Sequence, residues 1–225
     1  MKVGRLAAWG GIAGPALFTA AWVVSSIRQA GHSAAKIQLS GLAAQDARSP
    51  QIMMAGFVVL GGCSIGFGHA LRRVMAHRPA GPWLVVVAGA ATVAAGVFRR
   101  DHVLLTGPGF AGESWHNQVH DVVSGLAYGT MLAAPLILGH SLREKPGWAV
   151  VARPVQALAL ASALSLAVFS SGMLDPWNGL VQRVAVSLAL TAEVVLAARV
   201  LTLPLPQATE NPASAVRSGP GVATS

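Results

Sequence analysis

The segment "WHNQVHD", Trp115 to Asp121, packs two imidazoles and a carboxylate into seven positions of a chain that is only 11% charged. His116 and His120 are four apart, so on a helix they share a face. Asn117 and Asp121 form a second such pair, turned about 100° per residue from the first. Imidazole titrates near neutral pH and a neighbouring carboxylate raises its basicity, so the pairing suits proton transfer.

Asp101 and His102 close a preceding apolar run, and Gln182 and Arg183 open a later one. If these segments meet at one membrane boundary, the acid–base groups are Asp101, His116, His120 and Asp121. Arg183 would hold an anionic end such as a phosphate or carboxylate, with Gln182 and Ser40 as further substrate contacts. Ser40 reads as an exposed serine, and nothing in its local sequence activates it as a nucleophile. Glu193 is a further candidate for the substrate side. It lies about 12 Å from the end of its apolar run at 1.5 Å per residue, and a carboxylate at such depth defaults to a functional reading. Tyr128 reads as core packing.

The acid–base reading needs no cofactor. Two histidines at i and i+4 with a carboxylate would also suit a divalent metal such as zinc or iron, held by His116 and His120. The glutamate of a zinc-protease HExxH is absent. Haem would draw on His69 and His140 but is not expected, because each simply ends its helix at the interface, as Arg72 and Arg143 do nearby. No nucleophile elbow and no phosphate-cradling glycine loop is present, which argues against an energy-driven reaction.

The elements that must position these groups are membrane helices. Apolar residues make up 53% of the 225, and mean hydropathy is +0.57. A soluble domain would carry about 25% charged residues. The charges fall in clusters between apolar runs of bilayer-spanning length, and backbone in lipid must bond internally, so each run is expected to be a helix. Six spans are expected: Leu6–Ile27, Ile52–Leu71, Pro82–Phe98, Asp121–His140, Val155–Leu174 and Gly179–Leu201. The first is too long for a signal core and lacks a small-x-small cleavage site.

The fold class is therefore an all-α integral membrane bundle at the cell membrane, residues 1–202, followed by a disordered cytoplasmic tail, 203–225. With the N-terminus inside, ten Lys and Arg fall on the inner side and six of the 16 on the outer, which sets both termini in the cytoplasm. The net charge of +8 fits orientation and anionic lipid, so membrane lipids are expected partners and nucleic acid is not. Lone Cys63 forms no internal disulfide. Glycines four apart (10 and 14, 62 and 66, 125 and 129) are expected to bring helices together. Ile37, Leu39 and Leu42 would let the first loop lie in the interface.

The stretches "SGLAAQDARSPQIMMAGFVVLGG", "AAGVFRRDH", "WHNQVHDVVSGLAY" and "NGLVQRVAVSLAL" resemble, in this order, the bacterial six-helix membrane family labelled domain of unknown function 998. The resemblance runs from the first span to the sixth. It carries over Ser40, Leu42, Asp101, His116, His120, Asp121 and Arg183. Arg99 and Arg100 stand where that family more often has a proline and a small polar residue, and Glu193 where an apolar or aromatic residue is expected. Both departures imply a specialised member with extra charge near its cavity.

The function these residues support is a membrane-embedded enzyme acting on an amphiphilic or isoprenoid-like small molecule, by cyclisation, isomerisation or hydrolysis. The alternative is a small transporter, resistance or accessory protein binding cargo with the same groups. A purely structural subunit is the third reading.

Overall fold

The computed structural model describes residues 2–75, 80–103 and 114–203, and every regular element among them is helical. Six helices are long and apolar enough to cross a membrane. They are α1 (Lys2–Arg28), α2 (Pro50–Val74), α3 (Ala80–Val97), α4 (Trp115–Leu142), α5 (Ala149–Ser171) and α6 (Asn178–Thr202). The chain is a multi-pass membrane protein. The expected tail lies, from residue 204 on, outside the described residues.

Helices α4 and α5 each begin six residues before the expected span. An apolar criterion excluded "WHNQVHD", but Ser114 caps α4: its side-chain oxygen accepts the N–H of Asn117 at 3.3 Å. The histidine-bearing segment is thus the first two turns of α4. Helix α5 starts early beside the fully buried Trp148, whose carbonyl accepts the Ala152 N–H.

Each helix packs on its sequence neighbours, and α6 returns to α1, closing a ring. The start of α1 and the end of α6 lie at one end, here the proximal end. The first loop, the α3–α4 connection and the α5–α6 turn lie at the distal end.

In lipid an apolar side chain gains little by choosing a helix over a lipid tail, so close backbone approach decides the packing. Gly10 and Gly14 supply it for α1: a Cβ on either would lie 2.8 Å from the Cys63 carbonyl or 2.7 Å from its Cβ. The other two expected pairs do not. Gly62, Gly66, Gly125 and Gly129 all face open space. The α2–α3 seam is made by glycines seven apart instead, Gly61 and Gly68 against Gly89 and Gly96. A Cβ on Gly61 would stand 2.3 Å from the Gly89 carbonyl oxygen.

The apolar side chains of the first loop turn into the bundle rather than toward lipid. Ile37, Leu39 and Leu42 are buried and pack with Phe18, Met53, Leu60 and Val186, so the loop plugs the distal end of the ring. Its backbone is bonded as burial requires. Leu39 N donates to Gln182 Oε1 at 2.7 Å, and Gln45 N to the Arg100 carbonyl at 2.9 Å. The loop rests directly on the first turn of α6, where a Cβ on Gly179 would meet the Ile37 carbonyl at 2.5 Å.

Candidate functional site

Beneath the plug, inside the ring, lies a cavity of about 370 Å³. Its polar wall contains Gln38, Ser40, Arg100, His120, Tyr128 and Gln182; its apolar wall includes Phe18, Phe57, Leu60, Met131 and Val186. One volume therefore offers hydrogen bonds at one end and hydrocarbon contact elsewhere, the composition expected of a small-molecule site.

His120 is oriented by α3. Its Nδ1 lies 2.7 Å from the Phe98 carbonyl and 3.0 Å from that of Ala95, at the C-terminal end of that helix. A carbonyl only accepts, so Nδ1 carries the proton and the neutral ring keeps its lone pair on Nε2. Tyr128 follows His120 by two turns of α4. Its hydroxyl oxygen accepts the Gln182 Nε2–H at 2.9 Å, while Gln182 Oε1 is occupied by the plug. The tyrosine proton is therefore available to an acceptor in the cavity.

Arg100, buried just after α3, donates through Nη1 to Gln38 Oε1 at 2.9 Å and reaches Ser40 Oγ at 3.5 Å. Its Nη2 is 3.5 Å from Asp121 Oδ1. Asp121 also accepts from Asn117 Nδ2 at 3.1 Å, and the Asn117 side-chain oxygen accepts the Asp101 N–H at 3.2 Å.

Of the residues singled out in the sequence, Ser40, His120, Asp121 and Gln182 meet at this cavity. Ser40 is buried in its wall rather than exposed. Asp101, His116, Arg183 and Glu193 do not line it. Asp101 holds the α3–α4 connection: its carboxylate accepts Ser114 Oγ at 2.7 Å, Ser114 N at 2.8 Å and Gln45 Nε2 at 3.0 Å. The Ser114 hydrogen bonds, with smaller help from His102 and His116, outweigh desolvation and keep that carboxyl below its usual range. These bonds hold the carboxylate in that connection, outside the cavity lining. His116 stacks on Trp115, ring centroids 3.7 Å apart. Arg183 turns to the first loop, and Glu193 accepts from Ser64 Oγ at 2.9 Å deeper in the bundle.

Arg100 stands out in the sequence only as a departure from the family pattern. Tyr128, which reads there as core packing, lines the cavity instead; it follows Asp121 by seven residues and so shares its face, a signal the helical period contains. Nothing local marks Gln38. Among the described residues no three His, Cys, Asp or Glu side chains form a metal-ligand group. Of the two histidines considered for haem, His69 lies edge-on to Trp83 and His140 is exposed.

A family model described as "Protein of unknown function (DUF998)" matches residues 12–199. No curated protein and no solved structure matches the chain.

Proposed function

We propose, for this chain, which belongs to the DUF998 family of proteins of unknown function, that it is a membrane-embedded acid–base enzyme acting on an amphiphilic or isoprenoid-like small molecule. The observation that carries the reading is the cavity itself, with a tethered imidazole, a tyrosine hydroxyl and an arginine gathered on one side of an otherwise apolar volume. His120 Nε2 takes a proton from the substrate or from a water. Tyr128 donates its hydroxyl proton toward the atom that gains electron density, and Arg100 with Ser40 and Gln38 seats the polar end. Proton removal at one carbon with return at another gives isomerisation. Protonation of one double bond, attack of a second on the resulting cation and proton loss to His120 gives cyclisation, and attack of a water deprotonated by His120, with Tyr128 protonating the departing group, gives hydrolysis.

Access from the bilayer supports a lipid-like substrate. On α5 no residue beyond Ser162 is buried, and on the distal half of α4 Gly125 and Gly129 face open space. Gly125 and Phe169 both line the cavity, so its wall reaches the gap between these two helices. The orientation set by Lys and Arg would turn this end to the outer leaflet.

The test is mass spectrometry of membrane extract incubated with the purified protein in lipid nanodiscs. The wild type is expected to convert an amphiphile, and Tyr128→Phe and His120→Gln to lose about 10²–10⁴ of that rate, the usual worth of a positioned acid or base. No compound changing with the wild type would remove the enzyme reading.

One observation favours transport instead. A second cavity of about 40 Å³ shares Leu60, Thr92 and Met131 with the first and is lined by Glu193. A titratable group below the site is what a proton-coupled path requires. Glu193→Gln separates the two: turnover in extract survives in an enzyme, whereas net movement of the compound across vesicles is lost in a transporter.

A further inference from the structure

A second polar centre lies at the distal end, outside the cavity and independent of the function proposed above. Arg183 is 6% exposed, and among the described residues no carboxylate pairs with it. Its Nη1 donates to the carbonyls of Ala34 at 3.0 Å, Ile37 at 2.6 Å and Gly179 at 2.9 Å. That fixes one end of the guanidinium against the plug and the first turn of α6. The remaining nitrogens, Nε and Nη2, are buried and have no hydrogen-bond partner. Their N–H bonds run side by side along one edge of the planar group, the edge that takes two oxygens of a carboxylate or phosphate at once.

The surroundings repeat the pattern. Both ring nitrogens of His32 are buried without a partner, and so are the hydroxyls of Ser25 and Ser26. His32 is near enough for the Arg183 charge to act on it, although burial is the larger influence holding the imidazole below its ordinary pKa. Ser25 and Ser26 follow Trp22 by three and four residues, hence on its face of α1; the Arg183 guanidinium lies over the Trp22 ring, 5.4 Å from its centroid. Unsatisfied buried donors are costly, and a buried cation without a counter-charge more so. Here they concentrate between the end of α1, the first loop and the positive end of α6. None of these residues lines the cavity.

We propose that the free Arg183 edge, with His32, is an oxyanion site taking a phosphate- or carboxylate-type group at the level of the lipid headgroups. Either a phospholipid headgroup or a free anion presents this chemistry.

The experiment uses the full chain in maltoside detergent micelles, which carry no phosphate, at constant ionic strength. Thermal unfolding is followed while inorganic phosphate is titrated in against chloride, and in parallel micelles while phosphatidylglycerol is titrated in. A ligand that binds only the folded state raises Tm in a saturable way. A response to phosphatidylglycerol alone assigns the site to a headgroup; a response to phosphate assigns it to a free anion. Arg183→Lys, which keeps the charge but not the two-donor edge, is expected to weaken either response at least tenfold. No saturable shift with either probe, or an equal shift in Arg183→Lys, overturns the proposal. Should that variant fail to fold, His32→Ala leaves the Nη1 bonds in place and must weaken binding several-fold; unchanged affinity there overturns the proposal equally.

Discussion

His116 and His120 show how little spacing alone decides. Both lie on one face of α4, yet one stacks on its neighbour Trp115 while the other is tethered to α3 carbonyls and lines the cavity. The difference comes from a helix that is distant in sequence, so no local pattern holds it. The same is true of Asp101, whose partners Gln45 and Ser114 come from two other segments. Because its pKa is lowered in the folded state, its stabilising contribution is fully present above the unfolded value, about 3.9. It is lost as pH falls through the depressed folded value. Asp101→Asn should therefore lower Tm at neutral pH by about 2–4 °C, the equivalent of roughly 1 kcal/mol for a chain of this size. The gap to the wild type should close in acid, which a series of melts from pH 7 to pH 3 would read. A constant gap at every pH would mean that the carboxylate charge is not what matters.

At the scale of elements, the six helices were legible because length and apolarity determine what can span a bilayer. The starts of α4 and α5 were not, and for α4 the reason is that Ser114 caps a turn rich in polar residues. Nor was the helix seam, because a glycine seven residues from another carries the same local signal as one four away. The two kinds of glycine should separate by experiment. Gly61→Ala drives a Cβ onto the Gly89 carbonyl oxygen at 2.3 Å, and overpacking of this kind costs about 1–3 kcal/mol. Gly62→Ala enters open space and should be neutral or gain up to about 1 kcal/mol of helix propensity. Denaturant melts of the pair in one detergent would measure the contrast; equal effects would mean the α2–α3 approach is not tight.

For the whole molecule, the ring is well sealed between α2 and α3 and open between the distal halves of α4 and α5. Gly125→Phe should fill that gap. If substrate arrives from the lipid, turnover of a membrane-borne amphiphile should fall by at least about tenfold while Tm stays within a few degrees. A substrate delivered from water would leave the rate unchanged, and a kinetic comparison of the variant with wild type decides between them. The sequence indicated that polar groups from three loops would converge, and four of its candidates do. It gave no warning that the first loop would be a plug, because Ile37, Leu39 and Leu42 suit an interfacial segment equally well.

That plug has a consequence for biosynthesis. Arg100 holds part of it, but other fastenings come from α6: Gln182 receives the Leu39 N–H, the Leu180 N–H reaches the Ala35 carbonyl, and Arg183 gathers the carbonyls of Ala34 and Ile37. A nascent chain enters the membrane from its N-terminus, so this loop is made before α6 and stays only partly anchored until that helix is threaded. The pocket is thus finished only once α6 is in place, and a ribosome that stops before α6 leaves five helices around an unclosed mouth.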